Sequence, residues 1–163
     1  MKATGIVRRI DDLGRVVVPK EIRRILRIRE GDPLEIYTGN MGEIILKKYS
    51  PIGDMSQVAG EFAETASSIL GGTVAVSDTD QFIAAAGKQK RQFDHDKIDT
   101  ELDHIIQSKD KFLSSKKVIV PIISQGDAIG SVTVLSPEGK ELGVTEMKAA
   151  QIGAEFLAKQ IYD

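Results

Sequence analysis

Residues 15–29 read Arg-Val-Val-Val-Pro-Lys-Glu-Ile-Arg-Arg-Ile-Leu-Arg-Ile-Arg, and how this stretch is parsed decides the fold of the amino-terminal third. Val16, Val17 and Val18 are β-branched and predict a short strand. Pro19 suits the first position of a helix, where its missing N–H would be unpaired in any case. On that helix Lys20, Arg23, Arg24 and Arg27 fall at i, i+3, i+4 and i+7 along one face. Ile22, Ile25 and Leu26 fall on the opposite face. Such a helix must bury its apolar side and present its basic side. The basic face can be a solvated surface whose arginines snorkel or pair with acids, or a surface that contacts phosphates. Glu21 is the only acid inside the helix and lies to the side, so internal neutralisation is poor and the second reading gains.

Working outward, residues 4–10 and 15–18 read as two strands joined by the turn Asp11-Asp12-Leu13-Gly14. After the helix, residues 33–38 and 43–48 read as a second strand pair around Gly39-Asn40-Met41-Gly42. Fifty residues of this kind, without disulfide or metal, do not easily close a core alone. The economical solution is a dimer in which strands of two chains interleave. It would set two basic helices about a twofold axis, matching pseudo-symmetric duplex sites.

The formal net charge of −2 hides an asymmetry. Through Arg29 the basic residues are Lys2, Arg8, Arg9, Arg15, Lys20, Arg23, Arg24, Arg27 and Arg29, opposed only by Asp11, Asp12 and Glu21. From Glu30 onward acids exceed bases, so a basic arm is attached to an acidic body, which points to a local anion-binding module. There is no cysteine, which excludes disulfides, thiolate metal sites and cysteine nucleophiles. No run has the length of a signal-peptide core or a bilayer span. The expectation is a soluble, cytoplasmic, nucleoid-associated protein with no membrane partner. Few aromatics and no tryptophan argue against single-strand binding by base stacking.

Residues 51–55 read as a linker between an amino-terminal domain (1–50) and a carboxy-terminal domain (56–163). In the latter, a helix over 56–70 is stopped by Gly71-Gly72, strands follow at 73–77 and 82–86, and a helix is expected over 99–108. A hairpin around Gln125-Gly126-Asp127 and a final helix over 144–161 complete it. The order α, β, β, α, β, β, α predicts an antiparallel sheet flanked by helices, and the whole chain is of the α+β class.

The run Met-Lys-x-Thr-Gly-Ile-Val-Arg-Arg-Ile-Asp-x-Leu-Gly-Arg-Val-Val-Val-Pro, followed by Glu-Ile-Arg-Arg-x-Leu and Leu-Glu-Ile-Tyr, resembles the AbrB-type transition-state regulators. That resemblance implies a swapped-hairpin β-barrel dimer that binds double-stranded DNA, with Arg8, Arg9, Arg15, Arg23 and Arg24 at DNA-contacting positions. Lys20 and Arg27 join them from the helix-face reading. The carboxy-terminal layout, with Val-Pro-Ile-Ile and then Ile-Gly-Ser-Val-Thr-Val, is similar to a GAF domain, a small-ligand sensor module. An AbrB-type arm on a GAF-like body resembles sporulation regulators. It implies a transcription factor, activator or repressor at its targets, acting in the forespore. The expected assembly is a homodimer through residues 1–50 and a homotetramer through the first and last helices of the GAF-like domain.

No catalytic constellation stands out. His95 and His104 are the only histidines; with Asp94 and Asp96 a metal site is imaginable, but polar loop residues explain them better. Asp78 and Asp80 sit in a turn, where aspartate bonds its own backbone. Neither a catalytic residue, a metal nor a cofactor is expected, apart from an unidentified small ligand in the GAF-like domain. Cysteine-dependent GAF chemistries lack their cysteine. The cyclic-nucleotide pattern lacks its asparagine, since Asn40 is the chain's only one. The alternative from another class is an antitoxin-like protein-partner binder, since the same arm occurs in toxin–antitoxin pairs.

Overall fold

The computed structural model describes residues 2–93 and 97–161, and the chain divides into two units, Met1–Tyr49 and Ser50–Asp163. In the first, helix α1 (Lys20–Ile25) is followed by strands β1 (Leu34–Thr38) and β2 (Ile44–Lys48). These pair antiparallel, with Leu34 opposite Lys48 and Thr38 opposite Ile44. Residues 4–10 and 15–18, expected as strands, join no ladder within the chain. Only their turn closes, with the Asp11 N–H donating to the Arg15 carbonyl at 2.9 Å and the Gly14 N–H to the Asp11 carbonyl at 3.1 Å. The β-branched residues are present but a partner strand is not, and unpaired strand backbone is a template for another chain.

Helix α1 is shorter than its basic periodicity suggests. Pro19 is the N-cap, one residue outside the expected first position, and its carbonyl accepts from the Arg23 N–H at 3.0 Å. The helix ends at Ile25. The Arg27 N–H then donates to the Arg24 carbonyl at 3.3 Å and the Ile28 N–H to the Arg23 carbonyl at 2.8 Å, the paired bonds of a Schellman motif. Arg27 occupies the left-handed position of that motif, φ 54°, so it does not continue the helical stripe of Lys20, Arg23 and Arg24. The apolar side of α1 is also not covered within the chain: Ile25 is 73% exposed and Leu26 52%.

The second unit has a five-stranded antiparallel sheet in the order β4-β3-β7-β6-β5. Helix α2 (Ser56–Leu70) leads into β3 (Thr73–Ser77) and β4 (Phe82–Ala86). Gly71, φ 77°, ends α2 with its N–H on the Ser67 carbonyl, a conformation glycine adopts without steric cost. A 3-10 turn over Lys90–Phe93 precedes α3 (Thr100–Ser108), which Asp99 caps by accepting the Leu102 N–H. A two-residue strand β5 (Phe112–Leu113), not anticipated from sequence, lies on the edge beside β6 (Lys117–Ser124). The β6–β7 hairpin turns on Gln125 and Gly126, both at positive φ; Asp127 already belongs to β7 (Asp127–Leu135), opposite Ser124. Helix α4 (Val144–Gln160) closes the unit.

Strand alternation divides the core between the two faces of this sheet. Val74, Val76, Val118, Val120, Val132 and Val134 meet Ala59 and Ala63 of α2 and Ala150, Ala154 and Leu157 of α4. On the other face Ile119 packs with Ile98 and with Leu102 and Ile106 of α3. Each fully buried valine, leucine or isoleucine contributes about 1.5–3 kcal/mol. Ile52, inside the expected linker, is fully buried in the first of these clusters. Asp78 behaves as its turn position predicts: its Oδ1 accepts the Asp80 and Gln81 N–H groups at 2.7 Å each.

Candidate nucleic-acid interface

The seven cations singled out from sequence, Arg8, Arg9, Arg15, Lys20, Arg23, Arg24 and Arg27, are all exposed. They are not equally free. Arg15 is the most committed, its Nε 2.8 Å from Asp11 Oδ2. Asp11 also accepts the Arg15 backbone N–H on Oδ1 at 2.8 Å and the Leu13 N–H at 2.9 Å. The Arg15 backbone N–H first, and its guanidinium second, hold the Asp11 carboxyl below its ordinary range. Arg23 Nε donates to the Val18 carbonyl at 3.1 Å, which ties the start of α1 to the extended segment before it. An Arg8 guanidinium nitrogen donates to the neighbouring Val7 carbonyl at 3.0 Å. The side chains of Arg9, Lys20, Arg24 and Arg27 make no hydrogen bond or ion pair among the described residues.

Backbone geometry reinforces the charge. Arg23 and Arg24 occupy the last turn of α1 and Glu21 its first, each sign at the end where the helix dipole favours it. Lys48, which sequence reasoning passed over, donates from Nζ to the Arg27 carbonyl at 3.0 Å beyond the helix end. No residue pattern signals that contact, because it joins positions distant in sequence. Beside the cations runs an open apolar groove of about 340 Å3, lined by Ile6, Val16, Val18, Ile22, Leu26 and Leu46 among others. Pro19 is the only buried residue among residues 2–49, so this segment has an apolar surface without a core of its own.

No group of three or more His, Asp or Glu side chains is placed to hold a metal among the described residues. His104 is exposed on α3, whereas His95, Asp94 and Asp96 lie outside the described residues. No helix among the described residues is long and apolar enough to cross a membrane.

An exposed, poorly neutralised cationic surface on a helix–hairpin unit, joined to a sheet covered by helices, defines a two-unit DNA-binding regulator. Residues 54–162 match the family described as stage V sporulation protein T C-terminal, transcription factor, and residues 7–54 match the family described as antidote-toxin recognition MazE, bacterial antitoxin. The chain is 44% identical to stage V sporulation protein T of Bacillus subtilis (strain 168), over 99% of each. It is 51% identical to transition state regulatory protein AbrB of the same organism, covering 47% of this chain and 78% of that one. The second GAF domain of DevS from Mycobacterium smegmatis shares the fold of the second unit, with a TM-score of 0.55 at 13% identity, over 65% of this chain and 91% of that one. The chain belongs to the stage V sporulation protein T family of transcription factors, and it is a regulator rather than an enzyme.

Proposed function

We propose that the chain regulates sporulation genes by binding duplex DNA through a dimeric arm built from residues 1–50. Seven exposed cations on a segment with only Pro19 buried carry the reading. A second copy is the natural occupant of the apolar groove, because it would bring unpaired strands 4–10 and 15–18 and a matching apolar surface. Two arms then present on the order of ten cations to phosphates. Residues 2–29 contain neither Asn nor Gln, the usual partners of adenine, so recognition rests on phosphates, guanine edges and duplex shape. Arg8, Arg9, Lys20, Arg23, Arg24 and Arg27 make the contacts, with Arg15 holding the turn and contacting DNA from it.

The second unit joins dimers into a tetramer through α2 and α4, whose outward Ile69 and Ile152 are 79% and 69% exposed, and senses a small ligand. The protein works in the cytoplasm on the nucleoid, in the forespore. The test is anisotropy of a labelled duplex with the full chain and with a variant carrying Arg8→Ala, Arg9→Ala and Arg24→Ala. Binding lost in the variant at unchanged helicity supports the reading; equal affinity refutes it.

The match of residues 7–54 to an antitoxin family favours a second reading, capture of a toxin-like protein. An antitoxin wraps its partner with a disordered tail, whereas the chain after residue 54 folds into the helix-covered sheet unit. A toxin-type gene beside this one, whose product forms a stable complex with the chain, would establish it.

A further inference from the structure

The α3 face of the second sheet bears a half-open cavity of about 280 Å3, at the lower edge of the range for small-molecule sites. Phe82, Phe93, Leu102 and Ile119 supply apolar lining. The two phenyl rings meet edge to face with centroids 4.8 Å apart, which fixes that wall. Thr133, from β7, also lines the cavity and is only 3% exposed, and its Oγ1 has no hydrogen-bond partner. Neighbouring hydroxyls on the same sheet face do have partners: Ser77 and Ser131 bond each other at 2.7 Å, and Thr73 accepts the Gln89 N–H at 3.0 Å. A buried hydroxyl left alone is costly, and this one adjoins space that a ligand could fill.

The charge around the cavity selects the ligand's sign. Among the described residues, Lys97 and Lys117 line it against one acid, Asp99, whose Oδ1 is already accepting the Leu102 N–H at 2.8 Å. Glu101 reaches Lys117 only at 3.9 Å and is more than half exposed. Two lysines beside apolar walls, with the Thr133 hydroxyl and the Gln92 amide as further polar lining, suit one anionic head on a compact apolar body.

We propose that this cavity binds a small organic carboxylate with an apolar body, its polar group bonded to Thr133 Oγ1 and its charge balanced by Lys97 and Lys117. The assignment rests on the sensor role proposed above and gives that role a ligand class. The apolar body lies against Phe82 and Phe93, and removing solvent from the chamber strengthens the lysine contacts.

The test uses the full chain labelled with carbon-13 in its threonine and isoleucine methyls, titrated with phenylacetate, short aliphatic carboxylates, neutral phenylacetamide and inorganic phosphate. The Thr133 and Ile119 methyls should shift saturably with one or more of the acids, about tenfold more weakly or not at all with the amide, and not with phosphate. Thr133→Val should weaken the acid about tenfold while its thermal midpoint holds or rises, because the unpartnered hydroxyl is gone. Should that variant fold poorly, the pair Lys97→Gln and Lys117→Gln should lose preference for acid over amide. Unchanged acid affinity in Thr133→Val, or unchanged preference in the lysine pair, overturns the proposal. Shifts with phenylacetamide but with no acid overturn the carboxylate class and leave the sensor role standing. If no compound moves these methyls, both fall.

Discussion

Arg15 holds Asp11 with two groups at once, its backbone N–H on one carboxylate oxygen and its guanidinium on the other, both at 2.8 Å. The pair closes the turn that separates the two extended arms of the amino-terminal unit. It also makes Arg15 a cation whose position is set before any DNA arrives, with its side chain still 70% exposed. In the proposed DNA-binding role, Arg15 would fix the turn at Asp11–Gly14 that follows Arg8 and Arg9 in the chain.

A pH dependence follows from this pair. The folded Asp11 pKa is depressed, by the Arg15 backbone N–H first and its side chain next. The stabilisation is therefore present above the unfolded value, near 3.9, and is lost as pH falls through the lower folded value. The Arg15 amide resonance, followed by NMR down an acid titration, should report a midpoint below the ordinary aspartate range. In Asp11→Asn that acid transition should disappear.

Arg23 and Arg24 are adjacent, yet their truncation should differ. Arg24 has a side chain without a partner among the described residues, so Arg24→Ala should weaken duplex binding at an unchanged thermal midpoint. Arg23 also donates to the Val18 carbonyl, so Arg23→Ala should weaken binding and cost about 0.5–1.5 kcal/mol of stability. Paired DNA titrations and urea melts separate the two outcomes.

Arg27 stands in a left-handed position at φ 54°, where a side chain costs roughly 1–2 kcal/mol relative to glycine. Arg27→Gly should raise stability by up to about 1 kcal/mol after the greater freedom of the unfolded glycine chain is deducted. The same change should lower DNA affinity through loss of a cation. Urea melts at high salt measure the first effect, and low-salt binding the second.

The α2–α4 crossing in the second unit gives a stability prediction independent of DNA. A Cβ on Gly153 would clash with the Cζ end of the Phe62 ring, so Gly153→Ala should destabilise by about 1–3 kcal/mol through overpacking. Gly60, on α2, has nothing within reach of an added Cβ. Gly60→Ala should therefore stabilise by about 0.5–1 kcal/mol. Urea melts of the two variants should move in opposite directions.

The second unit was legible in the sequence because its elements are long, strongly patterned and closed by their own turn residues. Val74 and Val76 alternate with smaller side chains, Gly71 ends α2, and Asp99 caps α3. The edge strand Phe112–Leu113 escaped because two residues carry no period. In the amino-terminal unit the cations were legible as types, but their commitments were not. Arg27 continues the basic spacing past the end of the helix, and a left-handed arginine has no mark in the sequence. Residues 4–10 and 15–18 have strand-forming residue types, but they join no ladder within the chain. Thr133 lay between Val132 and Val134 and read as one more β-branched residue of a buried strand.

The measurement that bears most directly on the cationic arm is the affinity of the full chain for a DNA duplex as a function of salt. The dimeric arm proposed above, neutralising six to ten phosphates, should give log K against log salt a slope of about −5 to −9, reduced by about two when Arg24→Ala removes one contact from each copy. A slope shallower than about −2, or one that Arg24→Ala leaves unchanged, would contradict the account.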